Sequence, residues 1–156
     1  MNRPLKAGVI SDTHGLARSE ALAALRGVDC IIHAGDIGST TVIDELCRIA
    51  PVTAIRGNVD SAGWAHAFPA TAVVVLGDTT VYVIHNIHEL DLDPRTAGFA
   101  VVISGHSHHP FQEWRDGVLY FNPGSAGPRR FLLPVSLGLL TVGGATITGE
   151  IVTLAV

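Results

Sequence analysis

Charge is scarce in this sequence: Asp, Glu, Lys and Arg make up 15% of its 156 residues, against about 25% in an ordinary globular chain. So thin a supply leaves few solvated faces, and most of the chain must be packed sheet or helix. A basic excess is missing too. The net charge of −4 argues against broad, unspecific binding to long nucleic acid or to an anionic membrane. No apolar run approaches the ~20 residues of a membrane helix; residues 71–77 form one of the longest. Arg3 and Lys6 precede an apolar stretch, but Asp12 and His14 break it before it could act as a secretory core. Cysteine is limited to Cys30 and Cys47, in apolar surroundings and without C-x-x-C spacing, which disfavours a disulfide framework or a thiolate zinc site. The expected address is the cytoplasm.

What is present points to one packed core. Hydrophobic residues reach 47%, which with the low charge excludes disorder, and the length predicts a single domain over residues 1–156. Histidine is out of proportion: there are eight, against ten Lys plus Arg. That invites a search for a metal site.

Residues 5–11 form a continuous apolar run, the pattern of a strand buried on both faces. A helix is expected over 19–26, capped by Ser19 and stopped by Gly27. A strand over 29–34 follows, then a helix capped by Ser39 or Thr40 and running to Ala50, with Val42, Ile43, Leu46 and Cys47 facing inward and Pro51 barring extension. A third strand covers 52–55. This β-α-β-α-β order implies parallel strands. The second half reads as strands over 72–76, 80–84, 101–104, 111–114, 119–121, 135–141 and 146–154, mostly antiparallel, with turns at Asp116-Gly117 and Gly143-Gly144. Two stacked sheets flanked by helices is the natural architecture.

Asp12 and His14, Asp36, Asn58, His85, and His106 with His108 each follow a predicted strand directly. Ligands collect at the carboxyl ends of strands in open α/β sheets, because the loops there converge. Each residue taken singly reads as a turn or cap; five such loops in order do not. Oxygen and imidazole donors without thiolate suit Mn, Fe, Ni, Zn or Co rather than a structural zinc.

Asp12-x-His14, Gly35-Asp36, Gly57-Asn58-x-Asp60, His85 and Gly105-His106-Ser107-His108 resemble the calcineurin-like metallophosphoesterase superfamily, and Asn122-Pro123-Gly124-Ser125 resembles its small YfcE-type phosphodiesterase branch. The resemblance implies an α/β fold, a four-layer α/β/β/α sandwich of two mixed sheets flanked by helices. It implies two divalent ions, manganese foremost. Asp12, His14, Asp36 and His108 would hold one and Asp36, Asn58, His85 and His106 the other, with Asp36 bridging and with Asp36, Asn58 and His106 as the catalytic set. Two such ions against two carboxylates and a bridging hydroxide leave a net positive pocket, suited to in-line attack on a small phosphodiester. No Ser-His-Asp or Cys-His set offers a side-chain nucleophile.

The sequence also departs from the family pattern. Val59 stands where many members carry a histidine read as a leaving-group acid, and His85-Asn86-Ile87-His88 stands where the family has His-Gly-His. His88 reads equally as a supporting group or a surface residue. His33 reads as a satisfied core histidine or a residue orienting a ligand, and His66 as surface. Arg56 and His109 are candidate substrate contacts, with Arg129-Arg130 a weaker one. Asp60 reads as holding its own loop through backbone hydrogen bonds. Trp64 and Phe68 leave open a cleft wall or a self-association patch, and with it a homo-oligomer. The competing function is a non-catalytic protein-binding scaffold of the same fold, like the retromer subunit of vacuolar protein sorting. A scaffold has no reason to keep every metal donor, and here all seven positions are filled.

Overall fold

Alternating side chains in the first strand divide the interior in two. In the computed structural model, which describes residues 3–156, β1 (Leu5–Ile10) sends Ala7 and Val9 into one apolar cluster and Ile10 into another. β1 pairs in parallel with β2 (Cys30–His33), and β2 with β3 (Val52–Ala54). The crossovers are α1 (Ser19–Ala24) and α2 (Thr40–Cys47). From the far end of the chain, β9 (Ser136–Gly143) and β10 (Thr146–Thr153) join antiparallel, giving the order β10-β9-β1-β2-β3.

The second sheet has the order β4-β5-β6-β8-β7. Its strands are β4 (Thr71–Leu76), β5 (Thr79–Ile84), β6 (Val101–Ile103), β7 (Phe111–Arg115) and β8 (Val118–Asn122). Its outer pairs are antiparallel, and at the turn expected between β7 and β8 Asp116 and Gly117 both take the positive φ of a tight hairpin. Its centre, β5-β6-β8, is parallel. The β5–β6 crossover carries a 3-10 turn at Ile87–Glu89 and a short α3 (Pro94–Ala97).

The two sheets stack face to face over Val9, Ile32, Val81, Val83, Ile103 and Phe121. Phe121 lies in space that side chains at Gly138 and Gly149 would fill. Truncating such a buried ring costs about 3–5 kcal/mol. Outside the first sheet, α1 and α2 contribute Ala21, Val42 and Leu46 to a second cluster. Outside the second sheet, Ile84, Val102 and Val118 are covered by Ile87 and Leu90. The architecture is the expected α/β sandwich of two mixed sheets. No helix among the described residues is long and apolar enough to cross a membrane.

Three local expectations are corrected. Ser19 is the first residue of α1, not its cap; Arg18 takes that place without a side-chain hydrogen bond. α2 is capped by Ser39, whose Oγ accepts the Thr41 N–H, but it ends at Cys47, short of Ala50. Cys47 is exposed, because the inward stripe of α2 is carried by Val42 and Leu46.

Candidate metal centre

Pairing register places the site. Ile10 lies opposite His33, and His33 opposite Ala54, so β1, β2 and β3 end level and their following loops start from one line. β5 and β6 do the same in the facing sheet, with Val83 opposite Ile103. Asp12, His14, Asp36, Asn58, His85, His106 and His108 all follow these five strand ends. Six of the seven gather into two groups, Asp12–His14–His108 and Asp36–His85–His106, each with one donor atom per residue and all donors within 4.8 Å of one another. Asn58 joins the second group, its Oδ1 lying 3.3 Å from His106 Nδ1.

The groups meet at the two carboxylates. Asp12 Oδ1 faces Nε2 of His108 at 3.4 Å, of His85 at 3.8 Å and of His14 at 4.0 Å. Asp36 Oδ2 faces Nε2 of His85 at 3.2 Å and of His14 at 3.7 Å. Asp36 thus reaches a donor from each group.

Both carboxylates and one imidazole are tied back by one atom and free at the other. Asp12 Oδ2 accepts from Ser11 Oγ at 2.7 Å and from the His106 N–H at 3.0 Å. Asp36 Oδ1 accepts the Val59 N–H at 3.1 Å. His85 Nδ1 lies 2.7 Å from the Ala34 carbonyl and can only donate to it, which leaves Nε2 with its lone pair. Four atoms of the cluster are orphans: Asp12 Oδ1, His14 Nε2, His85 Nε2 and His108 Nδ1 are buried without a hydrogen-bond partner. Buried polar atoms left unpaired are costly and rare. A divalent cation would satisfy Asp12 Oδ1, His14 Nε2 and His85 Nε2, which face one another, and carboxylate oxygen with imidazole nitrogen is a donor set for such an ion.

The backbone bends to hold this arrangement. Among the described residues seven non-glycine ones have positive φ, and five of them are Asp12 (55°), His14 (47°), Asp36 (55°), His106 (72°) and His108 (62°). Such conformations cost about 1–3 kcal/mol each and persist where the surroundings over-determine them. Glycines make the room: a Cβ at Gly35 would lie 2.6 Å from His85 Nδ1, and one at Gly57 would overlap the Asp36 carboxylate.

A layer beneath fixes the loops. The Gly35 N–H donates to His33 Nδ1 at 3.1 Å, so the proton of a neutral ring sits on Nε2 and donates to Thr13 Oγ1 at 3.0 Å; that hydroxyl donates to the Ile37 carbonyl at 2.9 Å. His33 is therefore both a satisfied core residue and a brace between the Asp12 and Asp36 loops. Asp60 takes the Gly57 N–H of its own loop and also the Ile37 and Gly38 N–H groups of the next. Asn122 donates to the Gly105 carbonyl and to Ser107 Oγ, and Ser125 Oγ donates to the Asp12 carbonyl. Ser11 and Asn122 had no assigned role in the sequence reading; their signal was adjacency to Asp12 and membership of Asn122-Pro-Gly-Ser.

Charge and burial pull in opposite directions. Desolvation raises the Asp36 carboxyl, but the facing His85 imidazole, 3.2 Å away, and the Val59 N–H outweigh it and hold the group below the usual carboxylate range. Burial lowers His85, but the close Asp36 carboxylate, the Ala34 carbonyl and the charge of Asp12 prevail and raise it.

A cleft of about 500 Å³ opens on the His85–His106 side, lined also by Arg56, Asn58 and Tyr82. Arg56 is anchored by a hydrogen bond from Nη1 to the Phe68 carbonyl. His109 is exposed beyond His108 and does not line this cleft. His88 and His66 are exposed; Arg129 donates to the Val156 carbonyl. Trp64 and Phe68 meet edge to face, centroids 6.1 Å apart, and pack on the helix-side core rather than on the cleft.

Known proteins resemble this chain in sequence and fold. A family model described as the calcineurin-like phosphoesterase superfamily domain matches residues 5–144. A probable metallophosphoesterase of Methanothermobacter thermautotrophicus is 32% identical over 157 positions, covering 93% of this chain and 90% of that protein. Among solved structures, a novel archaeal phosphodiesterase superposes with TM-score 0.78 at 25% identity, covering 95% of this chain and all of the other. Vacuolar Protein Sorting 29 of Cryptosporidium parvum superposes with TM-score 0.79 at 19% identity, covering 96% and 97%, which is a likeness of fold.

Proposed function

This chain belongs to the calcineurin-like phosphoesterase superfamily, and we propose that within it the protein is a binuclear-metal phosphodiesterase acting on small phosphodiesters in the cytoplasm. One observation carries the reading: Asp12 Oδ1 and Asp36 Oδ2 face the same imidazole nitrogens, while Asp12 Oδ1, His14 Nε2 and His85 Nε2 have no partner within the protein. Asp12, His14, Asp36 and His108 would hold one ion, and Asp36, Asn58, His85 and His106 the other. Manganese is our first choice, because hard carboxylate oxygen and imidazole suit it and no thiolate competes.

When bound, the two cations neutralise the charge of the phosphate and acidify a water for in-line displacement. The protein supplies the geometry. Ser11 and the His106 N–H aim Asp12, the Val59 N–H aims Asp36, and the Ala34 carbonyl aims His85. Asn58 and His106 stand where the cleft meets the centre, and Arg56 offers a guanidinium along its wall. In the overall reaction one water is consumed. A P–O bond to water oxygen forms, the P–O bond to the leaving group breaks, and the water's protons pass to the leaving oxygen and to solvent.

The scaffold alternative is less well supported: the relatives that match in sequence are named metallophosphoesterase and phosphodiesterase, whereas Vacuolar Protein Sorting 29 shares the fold at under a fifth of positions identical. The deciding experiment is turnover of a panel of phosphomonoesters and phosphodiesters by protein reconstituted with manganese, its metal content measured beforehand. We expect hydrolysis of diesters; metal-loaded protein inert towards every ester would overturn the reading.

A further inference from the structure

The cleft beside the metal centre is electrically lopsided. Its inner end is formed by Asn58, His85 and His106, and His85, only 6% exposed, brings an Nε2 that lacks a partner. A ligand atom is therefore wanted at that end. Glu89 and Asp91 add two exposed carboxylates to the same lining, and neither is ion-paired among the described residues. Tyr82 adds an aromatic ring, held by stacking on Phe99 with centroids 5.0 Å apart and planes 21° from parallel. The one cation of the wall, Arg56, is anchored on the Phe68 carbonyl.

An anionic phosphate drawn to the inner end leaves its ester substituent against two carboxylates and an aromatic ring. Like charge is disfavoured there, whereas an ammonium group gains from both partners. We propose that the cleft selects phosphodiesters in which one ester substituent carries an ammonium group, with Glu89, Asp91 and Tyr82 as specificity-determining residues. The proposal rests on the phosphodiesterase reading above.

Three 4-nitrophenyl diesters separate the possibilities: the phosphocholine ester, its uncharged 3,3-dimethylbutyl isostere, and a 2-carboxyethyl ester. Each takes up water, releases nitrophenolate and two protons, and leaves the corresponding phosphomonoester. On metal-loaded protein we expect kcat/KM for the choline ester about 10-fold above the isostere, with the carboxyethyl ester lowest. In the Glu89→Gln/Asp91→Asn double variant the choline-to-isostere ratio should fall to about 1. A second readout needs no turnover: choline titrated into metal-free protein should move the amide resonances of Glu89 and Asp91 saturably, and not those of the double variant. Equal hydrolysis of choline ester and isostere by the wild type would overturn this proposal and leave the phosphodiesterase reading standing. Choline binding without hydrolysis of any ester would overturn that reading and leave the ammonium site. Neither hydrolysis nor binding would remove both.

Discussion

Asp60 leaves its own loop to take the Ile37 N–H at 3.0 Å, latching the segment after β3 to the segment after β2. The Gly57 N–H at 2.8 Å and the Gly38 N–H at 3.0 Å complete the contact. Asp60→Asn turns an amide NH₂ towards these donors and strands at least one of them. We expect a loss of about 2 kcal/mol, read as a fall in Tm of about 4–8 °C. An unchanged melting curve would mean that the latch carries no stability.

His33 makes stability depend on pH. Burial holds its imidazole neutral in the fold, with the pKa pulled down to about 4, while the unfolded chain protonates it at 6.5. The contribution is full above pH 6.5 and is lost as pH falls towards 4, because the unfolded state then binds the proton first. It amounts to about 3 kcal/mol. Denaturant midpoints between these limits should slope less steeply in His33→Gln than in the wild type; equal slopes would refute the assignment.

Removing metal should loosen the fold. Asp12 Oδ1 and Asp36 Oδ2 face the same imidazoles in one pocket, and a cation that binds only the folded chain stabilises it by mass action. Thermal melts of protein with measured metal content, before and after chelation, should show the lower Tm in the chelated sample.

Asp36→Asn should be the most damaging single change at the centre. Asp36 Oδ2 faces both His14 and His85, so its loss weakens both groups. We expect activity to fall by at least ~10²-fold, with bound metal reduced by elemental analysis. Normal turnover with full metal content would show that Asp36 is not the shared residue.

Val59 predicts a dependence on the leaving group. Its N–H holds Asp36, while its side chain is 49% exposed and can donate no proton. Without a general acid, typically worth ~10²–10⁴-fold, rates should drop steeply as the leaving group becomes more basic. Across aryl phosphodiesters of graded leaving-group pKa, Val59→His should flatten that slope, and His88→Ala, an exposed residue outside the cleft, should not change it. A shallow wild-type slope that Val59→His leaves unaltered would sink the argument.

The positions of the strands and the gathering of the seven candidate residues at their ends were legible, because continuous apolar runs ending in Asp, Asn or His carry both period and chemistry. The parallel centre of the second sheet was not: hairpin turns announce antiparallel neighbours, whereas β5 and β6 pair through a crossover built of short turns. Even so, α3 had its signal, an Asp93 cap accepting the Arg95 N–H, Pro94 in the first turn and Gly98 at a left-handed stop. His33 was ambiguous because the same spacing serves a core residue and a brace, and the hydrogen bonds make it both. Glu89 and Asp91 were silent, since nothing local tells which way a charged loop faces. The left-handed backbone at the donors was silent too, as Asp and His there look like Asp and His anywhere.

That backbone sets selection for endurance against selection for chemistry. Glycine would sit more comfortably than Asp12, His14, Asp36, His106 or His108 at each of their φ angles, yet it carries no donor. A library screened for heat resistance in the absence of metal would drift towards glycine at these positions, ending in a sturdier shell from which the candidate centre had been erased.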